Sequence, residues 1–151
     1  MQSALTDKEQ MELLICPLCR THLDLFSERL HCRHCDKDYK VIDGIPVLLP
    51  GLSEDEILSQ GKWESGYRNL DYKVALEQYK NLYLNDTVRQ ISEYYKPKKG
   101  DNYLEIGCGP AFLGTYFARQ GLNIFGIDIS LSALRIAKKI YQDMGIDNCF
   151  F

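Results

Sequence analysis

The clearest pattern of apolar and polar positions lies in the C-terminal third of the chain, residues 100–151. Short apolar runs indicate strands, and amphipathic stretches between them indicate helices. In order, the predicted elements are strand 102–106, helix 111–120, strand 123–129, helix 131–143 and a strand from Cys149. Alternation of strands and helices at this spacing predicts a parallel sheet with crossover helices, and Ser130 is placed to cap the second helix.

The preceding stretch, residues 51–99, is polar and helical in pattern. Ser53 followed by Glu56 forms a capping box, which predicts a helix start. Two glycines, Gly61 and Gly66, are expected to interrupt that helix. Tyrosines at helical spacing are expected to pack against the sheet, with stacking on a base or cofactor as the alternative: Tyr79, Tyr83, Tyr94 and Tyr95.

The first fifty residues show short extended runs rather than long periodic segments. A short helix is predicted from Ser3 to Leu14, and a turn is predicted at Asp43-Gly44. The pattern therefore divides the chain into three parts: an N-terminal domain over 1–50, a helical connecting segment over 51–99 and an α/β domain over 100–151.

Composition is that of an ordinary globular protein, with 45% hydrophobic and 26% charged residues among 151. The net charge of −3 does not favour binding to nucleic acid by charge alone. The N-terminus has acidic residues and no unbroken apolar core, so it does not resemble a signal peptide, and no run is long enough to span a bilayer. We therefore expect a cytoplasmic protein that does not enter membranes and keeps its six cysteines reduced.

Four of the cysteines form two C-x-x-C pairs, with twelve residues between the pairs. Pairs at this spacing are typical of a structural zinc site, because four thiolates at tetrahedral corners fill the coordination shell of Zn²⁺. The predicted ligands are Cys16, Cys19, Cys32 and Cys35. A metal-free reduced form and redox disulfides are weaker alternatives. Three histidines are possible rival ligands and are more simply exposed polar residues: His22, His31 and His34.

The segments "CPLC", "CRHC" and "YKVIDGIPVLLP" together resemble the small zinc-ribbon family of methyltransferase activators. The resemblance covers about residues 11–50. It implies a ribbon fold around zinc and a protein partner bound through the ribbon.

The segment "YLEIGCGPAFLG" places a glycine turn directly after the first predicted strand of the α/β domain. Such a turn lets the backbone approach a ligand closely. The dinucleotide pattern G-x-G-x-x-G/A places Phe112 where a small residue is needed, and this disfavours a nucleotide-dependent oxidoreductase. An empty turn, with Glu105 and Asp128 merely ending strands, is the structural alternative.

The segments "EIGCGPA" and "FGIDISLSALRIAKK" resemble two motifs of class I S-adenosylmethionine-dependent methyltransferases, with Ala111 in place of the usual third glycine. The resemblance implies that 100–151 is the first half of a Rossmann-like methyltransferase sheet, so the chain as a whole is expected to be an α/β protein with an N-terminal zinc ribbon built on four cysteines. It implies that Glu105 helps to hold the methionine ammonium and that Asp128 accepts hydrogen bonds from the ribose hydroxyls. The full set of implied cofactor contacts is Glu105, Gly107, Cys108, Gly109, Asp128 and Ile129.

Other residues near these motifs carry weaker hypotheses. Cys108 has no visible partner base, so a role as nucleophile is disfavoured. Trp63 and Tyr67 precede the α/β domain, and in similar proteins such helices close over the cofactor.

The function predicted from these features is methyl transfer from S-adenosylmethionine to RNA, protein or a small molecule, with no general base evident. The alternative is a non-catalytic binding module that joins an activator-like ribbon to a remnant methyltransferase domain. The chain stops in its third predicted α/β strand, at Phe151. We therefore expect the substrate half to lie beyond this residue, the first strand to be an unpaired edge, and cofactor binding by these 151 residues alone to be weak.

Overall fold

The computed structural model describes the backbone of residues 7–82 and 84–151 and the side chains of residues 10–77 and 86–151. The chain folds into two compact units, which meet in sequence between Ser59 and Gln60. The predicted three-part division of the chain stays a prediction. Of the helix predicted from Ser3, residues 3–6 lie outside the described part, and a helix is present at α1 (Asp7–Glu12).

The N-terminal unit contains a four-stranded antiparallel sheet in the order β1-β2-β3-β4. Its strands are β1 (Asp24–Phe26), β2 (Arg29–Cys32), β3 (Lys37–Ile42) and β4 (Ile45–Pro46). The predicted turn between β3 and β4 is confirmed, because Asp43 and Gly44 both have positive φ, 54° and 70°. Leu30, Tyr39 and Ile45 are buried and form a small core beside two of the cysteines.

Three helices follow: α2 (Glu54–Arg68), α3 (Tyr72–Leu82) and α4 (Leu84–Tyr94). The predicted capping box is confirmed, because Ser53 N–H donates to Glu56 Oε2 over 2.8 Å and Glu56 N–H donates back to Ser53 Oγ over 3.4 Å. The predicted interruption at Gly61 and Gly66 is wrong. Each glycine costs a helix only about 1 kcal/mol, which capping and packing can offset.

The tyrosine prediction is corrected where the structure describes these side chains. Tyr94 is 91% exposed and Tyr95 is 40% exposed, so neither is packed into a core. Tyr79 and Tyr83 lie outside the described side chains.

The C-terminal unit contains a three-stranded parallel sheet in the order β5-β6-β7. Its elements are β5 (Asn102–Ile106), α5 (Phe112–Ala118), β6 (Asn123–Ile127), α6 (Leu131–Asp143) and β7 (Cys149–Phe150). The predicted parallel sheet is confirmed, together with the fold class: an α/β chain in which a partial sheet follows a four-cysteine ribbon. The helix predicted at 111–120 and the strand predicted at 123–129 are each shorter than expected.

The two faces of this sheet differ. Inward-facing side chains pack against α5 and α6 in a core that includes Phe117, Ile124 and Tyr141, each at most 1% exposed. On the opposite face Leu104, Ile106 and Ile127 are more than half exposed. β5 lies at one edge of the sheet, as predicted. Over the part of the chain that the structure describes, no helix is both long and apolar enough to cross a membrane.

Candidate functional site

The four predicted metal ligands lie together in the N-terminal unit. Sulfur atoms of Cys16, Cys19, Cys32 and Cys35 all lie within 4.8 Å of one another. The Sγ–Sγ distance is 3.4 Å for Cys19–Cys32 and 4.0 Å for Cys16–Cys35. A tetrahedral Zn²⁺ with Zn–S bonds of ~2.3 Å requires sulfur atoms roughly 3.8 Å apart. The donor set and its spacing therefore fit zinc.

Hydroxyl groups surround these sulfur atoms. Tyr39 Oη lies 3.3 Å from Cys16 Sγ, and Thr21 Oγ1 lies 3.0 Å from Cys19 Sγ and 3.3 Å from Cys32 Sγ. Burial by itself would raise the pKa of the Cys16 thiol, but its hydrogen bonds with Tyr39 and with backbone N–H groups lower this pKa overall. Thiolate is the form that binds a metal, so these contacts favour coordination by Cys16.

The histidines considered as rival ligands are not members of this cluster. Within the described residues, the group of side chains able to hold a metal ion consists of the four cysteines. His31 Nδ1 is instead 2.9 Å from Asp38 Oδ1. His34 Nδ1 is 4.0 Å from the Sγ of Cys35, so it approaches one ligand without joining the set.

In the C-terminal unit, the glycine turn after β5 is tied to the end of β6. The N–H groups of Gly107 and Cys108 both donate to the carbonyl oxygen of Ile127, over 2.8 Å and 3.1 Å. Gly107 and Gly109 have φ of 67° and 52°, a region that favours glycine. The turn therefore requires positive φ at two positions, and both positions are occupied by glycine.

Asp128 links the turn to the segment that follows β6. Its Oδ2 accepts the Gly109 N–H over 2.8 Å, and its Oδ1 accepts the Ser130 N–H over 2.8 Å. A carboxylate has about four acceptor positions, so each oxygen keeps one for another donor. The structure thus brings Asp128 and the glycine turn together. Ile129 follows directly and accepts a 3.5 Å hydrogen bond from Gln60.

Glu105 lies on the helix-covered side of β5, largely enclosed. Among the described residues, its Oε2 is the buried side-chain oxygen or nitrogen that has no hydrogen-bond partner. Burial raises the pKa of Glu105 to about 7, and the Gly114 N–H only partly opposes this. An enclosed acid with an unsatisfied oxygen is suited to a cationic group, which would stabilise its ionised form.

Two further residues of the turn differ in what they can do. Burial, with the nearby Glu105 and Asp128 charges, raises the pKa of the Cys108 thiol to about 12, so it stays protonated and is a poor nucleophile. Ala111 adopts φ 54° and ψ 38°, the left-handed conformation expected of the glycine it replaces. Tyr141 Oη donates to the Ala111 carbonyl over 2.9 Å and supports this conformation.

Sequence reasoning missed Glu64, on α2. Its carboxylate accepts hydrogen bonds from Ser130 and Ser132 at the start of α6. Tyr67, one turn further along α2, faces Gly109: a Cβ at Gly109 would lie 2.9 Å from the Tyr67 hydroxyl. The available signal was the i, i+3 spacing of Glu64 and Tyr67, which places both on one helical face.

Comparison with known proteins gives two kinds of relative. A family profile described as "Methyltransferase domain" matches residues 97–151. A "Ubiquinone biosynthesis O-methyltransferase" from Ralstonia nicotianae is 38% identical over 50 residues, which is 33% of this chain. The match spans 21% of that relative, about a fifth of its length.

A solved structure described as a SAM-dependent methyltransferase from Aquifex aeolicus also aligns, with a TM-score of 0.38 and 14% sequence identity. The alignment covers 54% of this chain and 45% of that chain. A similarity this low supports no conclusion about function.

The second kind of relative bears the name "UPF0434 protein". The one from Shewanella sediminis is 42% identical over 50 residues, covering 32% of this chain and 83% of the relative. The one from Polynucleobacter necessarius is 39% identical over 57 residues, covering 34% of this chain and 97% of the relative. These relatives agree with the ribbon architecture of the N-terminal unit. The chain therefore belongs to the UPF0434 family and, in addition, carries a methyltransferase-domain match over residues 97–151.

Proposed function

We propose that the C-terminal unit is the cofactor-binding part of an S-adenosylmethionine-dependent methyltransferase. One observation carries the proposal: the glycine turn after β5 and the carboxylate after β6 are joined, through the 2.8 Å hydrogen bond from Gly109 N–H to Asp128. Both lie at the carboxyl ends of parallel strands, where open α/β sheets bind ligands. The methyltransferase-domain match over residues 97–151 supports the same function.

In this proposal the chain's own residues bind and orient the cofactor. The two acceptor positions left on Asp128 would receive the two ribose hydroxyls, while its other two hold the Gly109 and Ser130 N–H groups. The Glu105 carboxylate would compensate the charge of the ammonium group. S-adenosylmethionine, when bound, supplies the electrophilic methyl group, so position and orientation are what the protein contributes.

We also propose that the cluster of four cysteines holds one structural Zn²⁺. Four cysteines fill a tetrahedral shell and leave no position for water or substrate. A unit with so small an apolar core gains folding free energy from the metal, of order ~10 kcal/mol. A site of four thiolates needs reduced cysteines, which a reducing compartment maintains, and on that ground we place the protein in the cytoplasm.

Photo-crosslinking with radiolabelled S-adenosylmethionine tests the methyltransferase proposal. Label is expected in peptides that contain the turn at 107–109 or the segment 128–130. Asp128→Ala should abolish it, because both the ribose acceptors and the tie to Gly109 are lost. Asp147→Ala is the matched control, since this aspartate is exposed and lies outside the turn. Label confined to the ribbon would contradict the proposal.

A second candidate is a binding module that uses the ribbon and performs no chemistry. Exposed apolar side chains on the N-terminal unit favour it: Leu13, Ile15, Leu18, Leu25 and Phe26. The match to the UPF0434 relative from Polynucleobacter spans 57 residues and 97% of that relative. That relative is therefore little longer than a ribbon-sized domain. Wild-type protein that takes up no label at saturating cofactor would favour this candidate over the first.

A further inference from the structure

Helix α2 contacts the candidate cofactor site at two points that lie one turn apart. At the first, Glu64 Oε2 accepts the Ser130 hydroxyl over 2.8 Å and the Ser132 N–H over 3.0 Å. Its Oε1 accepts the Ser132 hydroxyl. At the second, the Tyr67 hydroxyl lies against Gly109 so closely that a Cβ there would be 2.9 Å away.

These two contacts close a ring of interactions. Ser130, bound by Glu64, donates its own N–H to Asp128 Oδ1. Asp128 Oδ2 accepts the N–H of Gly109. Gly109 faces Tyr67, which lies on α2 like Glu64, so the series of contacts begins and ends on the same helix. The hydrogen bonds of Glu64 to the start of α6 and the contact of Tyr67 with the turn therefore belong to one continuous set of contacts.

We propose that Glu64 is a positioning residue for the cofactor site: by binding Ser130 and Ser132 it holds α2 so that Tyr67 closes one side of the turn at Gly109. This rests on the proposed function, since the space beside Gly109 and Asp128 is where the cofactor would lie. Glu64 itself touches no reacting group and acts through Tyr67.

The charge and burial of Glu64 suit this role. Burial would raise its pKa, but the hydrogen bonds from Ser132 and Ser130 outweigh burial and the pKa is lowered. The carboxylate thus stays ionised at neutral pH, where it is an acceptor only. A negative charge at the N-terminus of the 13-residue α6 is also electrostatically favourable.

Titration of the full chain with S-adenosylmethionine, followed by the fluorescence of its single tryptophan, Trp63, tests the proposal. Glu64→Ala should weaken binding by about tenfold, because the buried Ser130 and Ser132 lose a charged hydrogen-bond acceptor, and such a loss typically costs a factor of this order. Glu64→Gln should remain within about threefold, since its amide oxygen still accepts from Ser132 N–H and its NH₂ can donate to the Ser132 hydroxyl. Glu54→Ala, an exposed glutamate of the same helix, is the control.

A double-mutant cycle shows whether Glu64 acts through Tyr67. If it does, Glu64→Ala combined with Tyr67→Ala should bind no more weakly than Tyr67→Ala alone. Wild-type affinity in Glu64→Ala would overturn the proposal, even if that variant unfolds at a lower temperature. Losses of affinity in the double variant that equal the sum of the two single losses would overturn it as well. If Glu64→Ala does not fold, Ser132→Ala replaces it, with an expected loss of at least about threefold, because it removes one of the hydrogen bonds to the Glu64 carboxylate. Unchanged affinity in Ser132→Ala overturns the proposal equally.

A measurement without cofactor separates this proposal from the proposed function. In Glu64→Ala, acrylamide quenching of Trp63 and amide hydrogen exchange at Gly109 should both increase, and in Glu64→Gln both should return to wild-type values. If the wild-type chain binds no S-adenosylmethionine, the proposed function fails while this positioning contact is still tested. Unchanged quenching and exchange in Glu64→Ala would refute the positioning role directly.

Discussion

Ionisation of Glu105 comes at a cost to folding. Its carboxyl group is enclosed on the helix-covered side of β5, and one oxygen has no partner among the described side chains and backbone. An acid that only ended a strand would be expected to face water, where ionisation is free of this penalty. A buried acid whose pKa is raised in this way is a candidate for a functional site.

The stability of the chain should therefore depend on pH through Glu105. Burial raises its folded-state pKa to about 7 from an ordinary value of 4.5, so between these values the folded state holds a proton that the unfolded state has released. Its contribution is favourable below pH 4.5 and is lost as the pH rises through 7, by up to about 3 kcal/mol. Glu105→Gln should be more stable than wild type in urea at pH 8, with the gain shrinking towards pH 5. An equal gain at both pH values would contradict this assignment.

The two glycines of the turn should differ in their tolerance of alanine. Both have positive φ, which costs any other residue roughly 1–2 kcal/mol. A Cβ at Gly107 meets nothing within 4 Å, whereas a Cβ at Gly109 lies 2.9 Å from the Tyr67 hydroxyl. Gly109→Ala should thus destabilise the chain more than Gly107→Ala.

Tyr67→Phe provides the check, because it removes the hydroxyl that a Cβ at Gly109 would meet. In urea unfolding, Gly109→Ala on the Tyr67→Phe background should cost about as much as Gly107→Ala. Equal costs in the wild-type background would show that Tyr67 does not press on the turn.

At the scale of elements, helix α2 shows how tertiary contacts override local helix propensity. It begins at a capping box, continues through Gly61 and Gly66, and ends beside the glycine turn. Local propensity pointed to a break at these glycines, and contacts distant in sequence outweighed it. Glu64 and Gly109 are far apart along the chain, so periodicity alone could not reveal what α2 packs against.

The glycines of the helices should respond to alanine in opposite directions. Gly66 in α2 has open space where a Cβ would be, so Gly66→Ala should stabilise the chain by about 0.5–1 kcal/mol. In α5, a Cβ at Gly114 would clash with Tyr141 Oη and lie 2.9 Å from Ile124 Cγ2. Gly114→Ala should destabilise by roughly 1–3 kcal/mol through overpacking. Thermal unfolding of the two variants measures both effects, and a destabilised Gly66→Ala would show that α2 is not the helix described.

At the scale of the whole molecule, two chemically distinct units follow one another along the chain. In the C-terminal unit the order of strands and helices could be predicted from the sequence, because apolar periodicity, Ser130 and the glycine positions are local signals. The cluster of four cysteines could be predicted for the same reason, from spacing. The ring that joins Glu64 to Gly109 could not, since it depends on tertiary contacts between side chains that carry no motif.

The ribbon should depend on its metal. We expect purified protein to contain about one zinc per chain, and Cys35→Ser to lose it, because three thiolates no longer fill the tetrahedral shell. Cys149→Ser is the matched control, since this thiol lies on β7 and is not one of the four clustered cysteines. Atomic emission measurements of zinc check both variants. Full retention of zinc by Cys35→Ser would contradict a site made of four thiolates.

The central claim is that S-adenosylmethionine lies against the turn that joins β5 to α5. Backbone amide NMR during titration with S-adenosylmethionine is its most direct test. We expect weak binding, with the largest shifts at residues 107–109 and 128–130 and small shifts in the ribbon. Shifts centred on the ribbon, or none anywhere at several millimolar cofactor, would contradict it.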